Sequence, residues 1–370
     1  MSTDFFLYKG DNKEVLKKKE IKPNLIYMDP PYNTWNETLT YYDKDTSSNW
    51  RKNFENLIKE IKKQAEINST YFISIGTEEL ANVILTLEKI LGKKSIIAIM
   101  PRRTHSGHKT SKTISLQHDF VVVAKTGVVN FNGVELDTKS YKNKDKHFKE
   151  RGLYQLRRVD YKDFKWSESL DCEIKLRDNV FYPGGVSKNK WIQRKKNHSL
   201  KDWAWIWSKE KIKFAYENDF LIVKDGKLYK KTYTKALIKR IEKGKYEIEI
   251  LKRTKNMDSL HLTQKEYSLK KSKTKPESLF DYPKSDKLIT DLISLPKNKK
   301  KIILDPFGGT GTTAISAWEI NADEVHIIQR SEKTIENSQA HKDGFKDVYD
   351  LTKANIEQRT KIKIKEINIK

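Results

Sequence analysis

The run Asn24-Leu25-Ile26-Tyr27-Met28 stops at Asp29-Pro30-Pro31-Tyr32, and this junction constrains the chain more than any other stretch of it. Proline fixes φ and lacks a backbone donor, so Pro30-Pro31 ends the strand and holds the Pro30 carbonyl rigidly outside any ladder. Far downstream a second apolar strand, Lys301-Ile302-Ile303-Leu304, runs into Asp305-Pro306-Phe307-Gly308-Gly309-Thr310-Gly311-Thr312-Thr313. Glycines between a strand and a helix let a ligand approach backbone N–H groups. Around these junctions short strands alternate with helical patterns. Helices are expected at Asn49–Ile67, Glu78–Leu91 (closed by Gly92) and Thr312–Ile320. Strands are expected at Tyr71–Ile75, Ser95–Met100, Phe120–Ala124 and Val325–Gln329. This alternation predicts an α/β fold with a doubly wound, Rossmann-like sheet.

Residues 131–275 differ in character, with many aromatics, scattered basic residues and little helical periodicity. Asp225-Gly226, between Phe220–Val223 and Lys227–Tyr229, reads as a hairpin turn. The segment is expected to be a more β-rich lobe inserted between two core halves, 1–130 and 276–370. The net charge of +24 supports this division: Lys and Arg against Asp and Glu give +5 for 1–130, +18 for 131–275 and +1 for 276–370. A genome-wide preference for lysine would act along the whole chain. A local excess points to a polyanion partner, most simply nucleic acid. The alternation Trp203-Ala204-Trp205-Ile206-Trp207 places three indoles on one face of a strand, for core packing or for base stacking. The tail, Lys361 to Lys370, alternates Ile with Lys and reads as an edge strand or a partner-binding strand.

The single cysteine, Cys172, excludes an intramolecular disulfide and a Cys-based zinc site. No run approaches the ~18 apolar residues of a membrane span, and Met1–Gly10 shows no secretory pattern. A cytoplasmic location is expected. His105 and His108 lack a nearby acid or third ligand, so no metal is expected.

The first junction describes a pocket for an amino-bearing ring. The Asp29 carboxylate and the Pro30 carbonyl can accept both N–H groups of an exocyclic amine, while Tyr32 stacks on the ring. Such an amine is a poor nucleophile because its lone pair is delocalised. Accepting both hydrogens favours a pyramidal nitrogen whose lone pair faces an electrophile. A nucleobase must be flipped out of the duplex to reach such a pocket. The second junction lacks the lysine of a phosphate-binding loop and the spacing of a dinucleotide fingerprint. It suits a ligand with a carboxylate and no pyrophosphate, such as S-adenosylmethionine. About 20 residues further on, Glu332 follows a strand end, where an acid binds ribose hydroxyls.

These residues resemble the β-class amino-methyltransferases of DNA, especially the adenine-specific Mod proteins of type III restriction-modification systems. That group places its catalytic motif before its cofactor motif, with a target-recognition region between them. Asp29-Pro30-Pro31-Tyr32-Asn33-Thr34 matches the catalytic motif. Lys9-Gly10-Asp11-Asn12 resembles the segment meeting the cofactor's adenine, with Asp11 the acceptor. Tyr41-Tyr42-Asp43 and Trp50 resemble a mobile loop that closes over substrate. Phe280-Asp281-Tyr282-Pro283-Lys284-Ser285 resembles the segment whose Lys284 and Ser285 meet the methionine carboxylate, with Ser285 where proline is often found. The resemblance assigns Asp305, Phe307, Gly308, Gly309, Gly311, Thr312 and Glu332 to the cofactor. Pro101 to Lys109 resembles the loop at the active-site mouth, where Arg102, Arg103 and Lys109 would meet phosphates. Arg157, Arg158, Arg194, Lys195, Lys196, Lys230 and Lys231 of the inserted lobe would contact DNA backbone or bases.

The implied activity is site-specific adenine N6 methylation of double-stranded DNA by a homodimer using S-adenosylmethionine, with a restriction subunit as partner. The chain is short for a type III Mod protein. Similar enzymes acting on cytosine N4 usually carry Ser in place of the leading acid, so Asp29 favours adenine. Physics alone leaves cytosine N4 open, along with RNA as substrate and a binding module without turnover.

Overall fold

The computed structural model describes residues 3–33, 46–104, 117–163, 166–268, 276–280, 284–336 and 338–369. Thr34, Tyr41, Tyr42, Asp43, His105, His108, Lys109, Asp281, Tyr282 and Pro283 lie outside the described residues. The chain divides into two compact units, one of 1–133 with 256–370 and one of 134–255.

Short apolar runs bounded by Pro, Gly and Asn form the sheet of the first unit. Its strands are β1 (Asp4–Lys9), β2 (Leu25–Met28), β3 (Thr70–Ile75), β4 (Ile96–Arg103), β5 (His118–Lys125), β6 (Ile302–Asp305), β7 (Glu324–Gln329) and β8 (Lys365–Asn368). They lie in the order β8-β1-β7-β6-β2-β3-β5-β4. All neighbours from β8 to β3 are parallel, and β5 runs antiparallel to β3 and β4. Every residue of β2, β3 and β6 is buried, the continuous apolar reading that central parallel strands require.

The longer helices described in this unit are α1 (Asn12–Lys18), α2 (Ser47–Gln64), α3 (Leu80–Leu91), α4 (Asp286–Ser294), α5 (Thr312–Glu319) and α6 (Val348–Thr360). Trp50, Phe54, Leu57, Ile58 and Ile61 recur on one face of α2 at helical spacing, and Thr46 caps its N-terminus. With Val15 and Leu16 of α1 and Val83 and Leu87 of α3, they cover the sheet face that carries Ile26, Met28, Ile73 and Ile75. Helices α4, α5 and α6 pack in sequence on one another, the last two also against β7. The sheet is thus doubly wound and Rossmann-like. From β2 the chain crosses through α2 to β3, and from β6 it crosses through α5 the other way to β7. The boundary between β2 and β6 is therefore the topological switch point, where ligands of such sheets bind. The tail forms the edge strand β8 against β1. Among the described residues no helix is long and apolar enough to cross a membrane.

The second unit is built from small antiparallel pairings. Asp225 (φ 51°) and Gly226 (φ 67°) make the two-residue turn between Leu221–Lys224 and Lys227–Tyr233, and the second of these strands also pairs with Tyr154–Arg158. Its core gathers Val159, Ile174, Trp205, Ile212, Phe220, Leu228 and Tyr233. The tryptophan alternation is not one strand: only Ala204–Trp205 pairs, with Asp160–Tyr161. Trp205 is buried, whereas Trp203 and Trp207 are half-buried.

The boundary expected near 275 lies at 255. The cause is Tyr267, 1% exposed, whose hydroxyl donates to Asp291 Oδ2 of α4 at 2.6 Å and whose carbonyl faces Arg102 of β4. These contacts tie residues 256–268 to the first unit.

Candidate active site

The parallel register pairs Leu25 with Ile303 and Ile26 with Leu304. The two Asp-Pro junctions, distant in sequence, therefore emerge side by side at the carboxyl ends of β2 and β6. A cavity of about 400 Å³ opens there. Asp29, Pro30 and Pro31 line it from one junction and Phe307, Gly308, Gly309 and Thr312 from the other, with Lys284 and Glu332 between.

The first junction is pinned on both sides. Trp50 of α2 donates its indole N–H to the Pro31 carbonyl at 2.8 Å. Asn33 takes the left-handed conformation (φ 58°), and its amide donates to Glu79 at 2.8 Å. The fully buried Glu79 also accepts from Ser47 Oγ at 2.6 Å. Among the described residues nothing donates to the Pro30 carbonyl. Asp29 Oδ1 is buried beside Lys284 Nζ, 2.8 Å away, and has no other partner among the described residues. The same ammonium lies 4.7 Å from the Tyr32 ring centroid. The Tyr32 hydroxyl donates to Asp119 Oδ2 at 3.0 Å. Burial, then the Asp119 and Asp29 charges, lifts this phenol well above its ordinary pKa and keeps it a donor.

Behind Tyr32, Arg102 holds both oxygens of Asp119, with Nε to Oδ1 at 2.8 Å. Arg102 is 1% exposed, so it is not the phosphate contact expected of it; the antiparallel register sets it opposite Asp119 and buries the pair.

At the second junction Asp305 accepts from the Phe307 N–H at 2.9 Å and from Thr313 Oγ1 at 2.5 Å. Burial, partly offset by these two bonds, pushes its carboxyl up to about 7. Both oxygens are spent on shaping the turn. Gly309 N–H donates to Gln329 Oε1 at 2.8 Å. Gly311 (φ 75°) starts α5 in the left-handed region, and a Cβ there would collide with Ile356 of α6. Helix α6 also caps the turn: Thr352 Oγ1 donates to the Gly309 carbonyl at 2.5 Å and Asn355 to the Thr310 carbonyl at 2.6 Å.

Asp11 has other partners than expected. It caps α1 through the Lys13 N–H at 3.0 Å and pairs with Arg330; its neighbours Gly10, Asn12 and Lys13 line the cavity and it does not. Ser285 opens α4, and it, Tyr32 and Gly311 stand behind the lining. Burial raises the Glu332 carboxyl above its ordinary value. In the second unit Arg158 forks onto Asp160 at 2.7 Å, and Arg194 grips the fully buried Asp171 at 2.8 Å and the Pro183 carbonyl at 2.9 Å. These two arginines hold the unit's fold instead of reaching outward. Lys195 lies 4.0 Å from Glu168, Arg103 is half-buried at the end of β4, and Arg157 and Lys196 are exposed. The sequence reading missed Asp119, Glu79, Thr352 and Asn355. Only Asp119 left a signal, an acid immediately before an apolar strand.

A model of the DNA methylase family, the N6/N4 methyltransferases, matches residues 24–340, and the chain belongs to this family. Its methyl donor is S-adenosylmethionine. The type II methyltransferase M.KpnI of Klebsiella pneumoniae is 28% identical over 383 residues, covering 95% of this chain and 86% of that one. The Mod subunit of the type III restriction-modification enzyme EcoPI, from Escherichia phage P1, is 26% identical, covering 95% of this chain and 61% of that one. The EcoP15I Mod subunit of Escherichia coli is 24% identical, covering 97% and 64%. The chain thus spans less than two thirds of these Mod subunits. Among solved structures, the M1.HpyAVI–SAM complex aligns at 15% identity with a TM-score of 0.39, covering 91% of this chain and 98% of that one.

Proposed function

We propose that this protein methylates adenine N6 at a specific site in double-stranded DNA, in the cytoplasm, as a homodimer belonging to a restriction-modification system. The observation that carries the reading is the buried Asp29 oxygen, whose one partner among the described residues is the Lys284 ammonium, facing the same cavity as the glycine turn of β6. The lining fits S-adenosylmethionine. Glu332 would accept from ribose hydroxyls, Lys284 would face the methionine carboxylate, and Gly308 and Gly309 would let the ligand lie against backbone. When bound, the cofactor supplies an electrophilic methyl group on a sulfonium.

The chain's own residues do the rest. Asp29 and the Pro30 carbonyl accept the two amine hydrogens, so the nitrogen lone pair points away from them. The Tyr32 ring, its hydroxyl held by Asp119, would stack on the flipped base. Positive charge would grow on the nitrogen as it gains the methyl group, and the Asp29 carboxylate would stabilise that charge and take the surplus proton. The choice of adenine rests on Asp29 as the leading acid and on the resemblance to adenine-specific Mod proteins, which also supports a restriction subunit as partner. Purified protein, S-adenosylmethionine and mixed-sequence duplex DNA, followed by mass spectrometry of the digested nucleosides, tests the reading. N6-methyldeoxyadenosine is expected; N4-methyldeoxycytidine in its place would reassign the base.

A further inference from the structure

The second unit holds a group of cations that its own fold does not neutralise. Strand Lys227–Tyr233 pairs with Tyr154–Arg158 in a register that sets Lys230 directly opposite Arg157. Like charges across an antiparallel pair destabilise it. The next residue shows the usual remedy: Lys231 meets Asp145 at 2.6 Å. Among the described residues Lys230 has no such acid, and neither has Arg157. Lys211, from helix Lys209–Glu217, joins Lys230 at one indole, their ammoniums 4.9 and 5.2 Å from the Trp207 ring centroid. Burial first, then the charges of Arg157, Lys211 and Arg253, holds the Lys230 ammonium below its ordinary pKa, and burial alone does the same to Lys211. Arg253 spends one guanidinium nitrogen on the Tyr233 carbonyl at 2.8 Å and pairs with no acid among the described residues.

A shared indole offsets a cation's desolvation only by about 0.5–2 kcal/mol. It does not offset the repulsion among four positive charges. Half-buried lysines converging from separate segments, without a carboxylate, are arranged for an anion that arrives from outside.

We propose that Arg157, Lys211, Lys230 and Arg253 form a contact site for backbone phosphates of double-stranded DNA on the second unit, centred on Trp207. This inference rests on reading the chain as a DNA methylase and adds where its inserted unit grips the duplex. It sets aside Arg158, Arg194 and Lys231, all engaged internally, keeps Arg157 and Lys230 of the expected contacts, and adds Lys211 and Arg253. Phosphate contacts position a duplex without reading its sequence, so the site contributes affinity and salt dependence and no base preference.

The test compares the wild-type chain with the Lys211→Gln/Lys230→Gln double variant on a 30-base-pair mixed-sequence duplex across a salt series. The control is Lys239→Gln, whose lysine already pairs with Glu247 and Glu249 at 3.5 and 3.4 Å. The slope of log affinity against log salt should shrink by roughly 2 in the double variant and stay constant in the control. Its thermal midpoint should hold or rise, because repulsion has been removed; a structural role for the two lysines would lower it. An unchanged slope with wild-type binding intact would overturn the site while leaving the methylase reading standing. A slope lowered for RNA but not for DNA would overturn the choice of partner. Absence of salt-dependent DNA binding by the wild type would overturn the DNA reading, and the site with it.

Discussion

Tyr32 owes its position to two residues that never meet the substrate pocket. Asp119 and Arg102 form a buried pair whose side chains are 5% and 1% exposed. Breaking such a pair leaves a charge stranded, at a cost of about 3–5 kcal/mol. Arg102→Met should therefore destabilise the protein by about that amount in urea denaturation. Arg102→Met with Asp119→Leu should recover much of the loss, because the stranded carboxylate is gone. The recovered double variant should still methylate poorly, since the Tyr32 hydroxyl then has no acceptor. Asp305 gives a second residue-scale expectation. Its native pKa, about 7, lies above the ordinary 3.8, so the unfolded chain sheds this proton first as pH rises. This group's contribution therefore erodes stability between pH 3.8 and about 7 and costs most above that window. Asp305→Asn should flatten that part of the stability–pH curve and be relatively more stable near pH 8, as measured by thermal midpoints across pH.

At the scale of elements, the glycine turn and α6 are one construction. Gly311 needs a positive φ, and the space its missing Cβ leaves is filled by Ile356. Gly311→Ala should push α6 away, loosen the bonds from Thr352 and Asn355, and weaken S-adenosylmethionine binding at least ten-fold by calorimetry, roughly 1.4 kcal/mol. Adding Ile356→Ala should restore only part of this, since the left-handed backbone strain remains. The elements nearest the site were legible because proline and glycine punctuate them: β2, β6 and the start of α5 fall where Pro30, Pro306 and Gly311 demand. Strand β1 and helix α1 went unread, since Asp4–Lys9 carries charge at both ends and α1 is only 7 residues long. The support behind Tyr32 was illegible for another reason. Asp119 lies 87 residues from Tyr32, and no local pattern reports a contact that only the β4–β5–β3 pairing creates. Arg102 read as surface because an arginine near a basic loop gives no hint that an acid faces it across a strand.

For the whole molecule, the order of the two junctions mattered more than any single residue. A chain that runs from β2 outward to β5, through an inserted unit, and back into β6 brings its Asp-Pro ends together only if the sheet reverses at β2 and β6, as it does. The acceptor pocket and the glycine turn are thereby halves of one cavity in the first unit, while most of the excess positive charge lies in the segment that holds the second. Methyl transfer to a base amine at Asp29 is the claim that joins these parts. Its most direct test is long-read sequencing of DNA from a methylation-free host expressing this protein, beside an Asp29→Ala control. N6-methyladenine at one short sequence, absent from the control, is the predicted result. The same methylation persisting in Asp29→Ala would contradict the account.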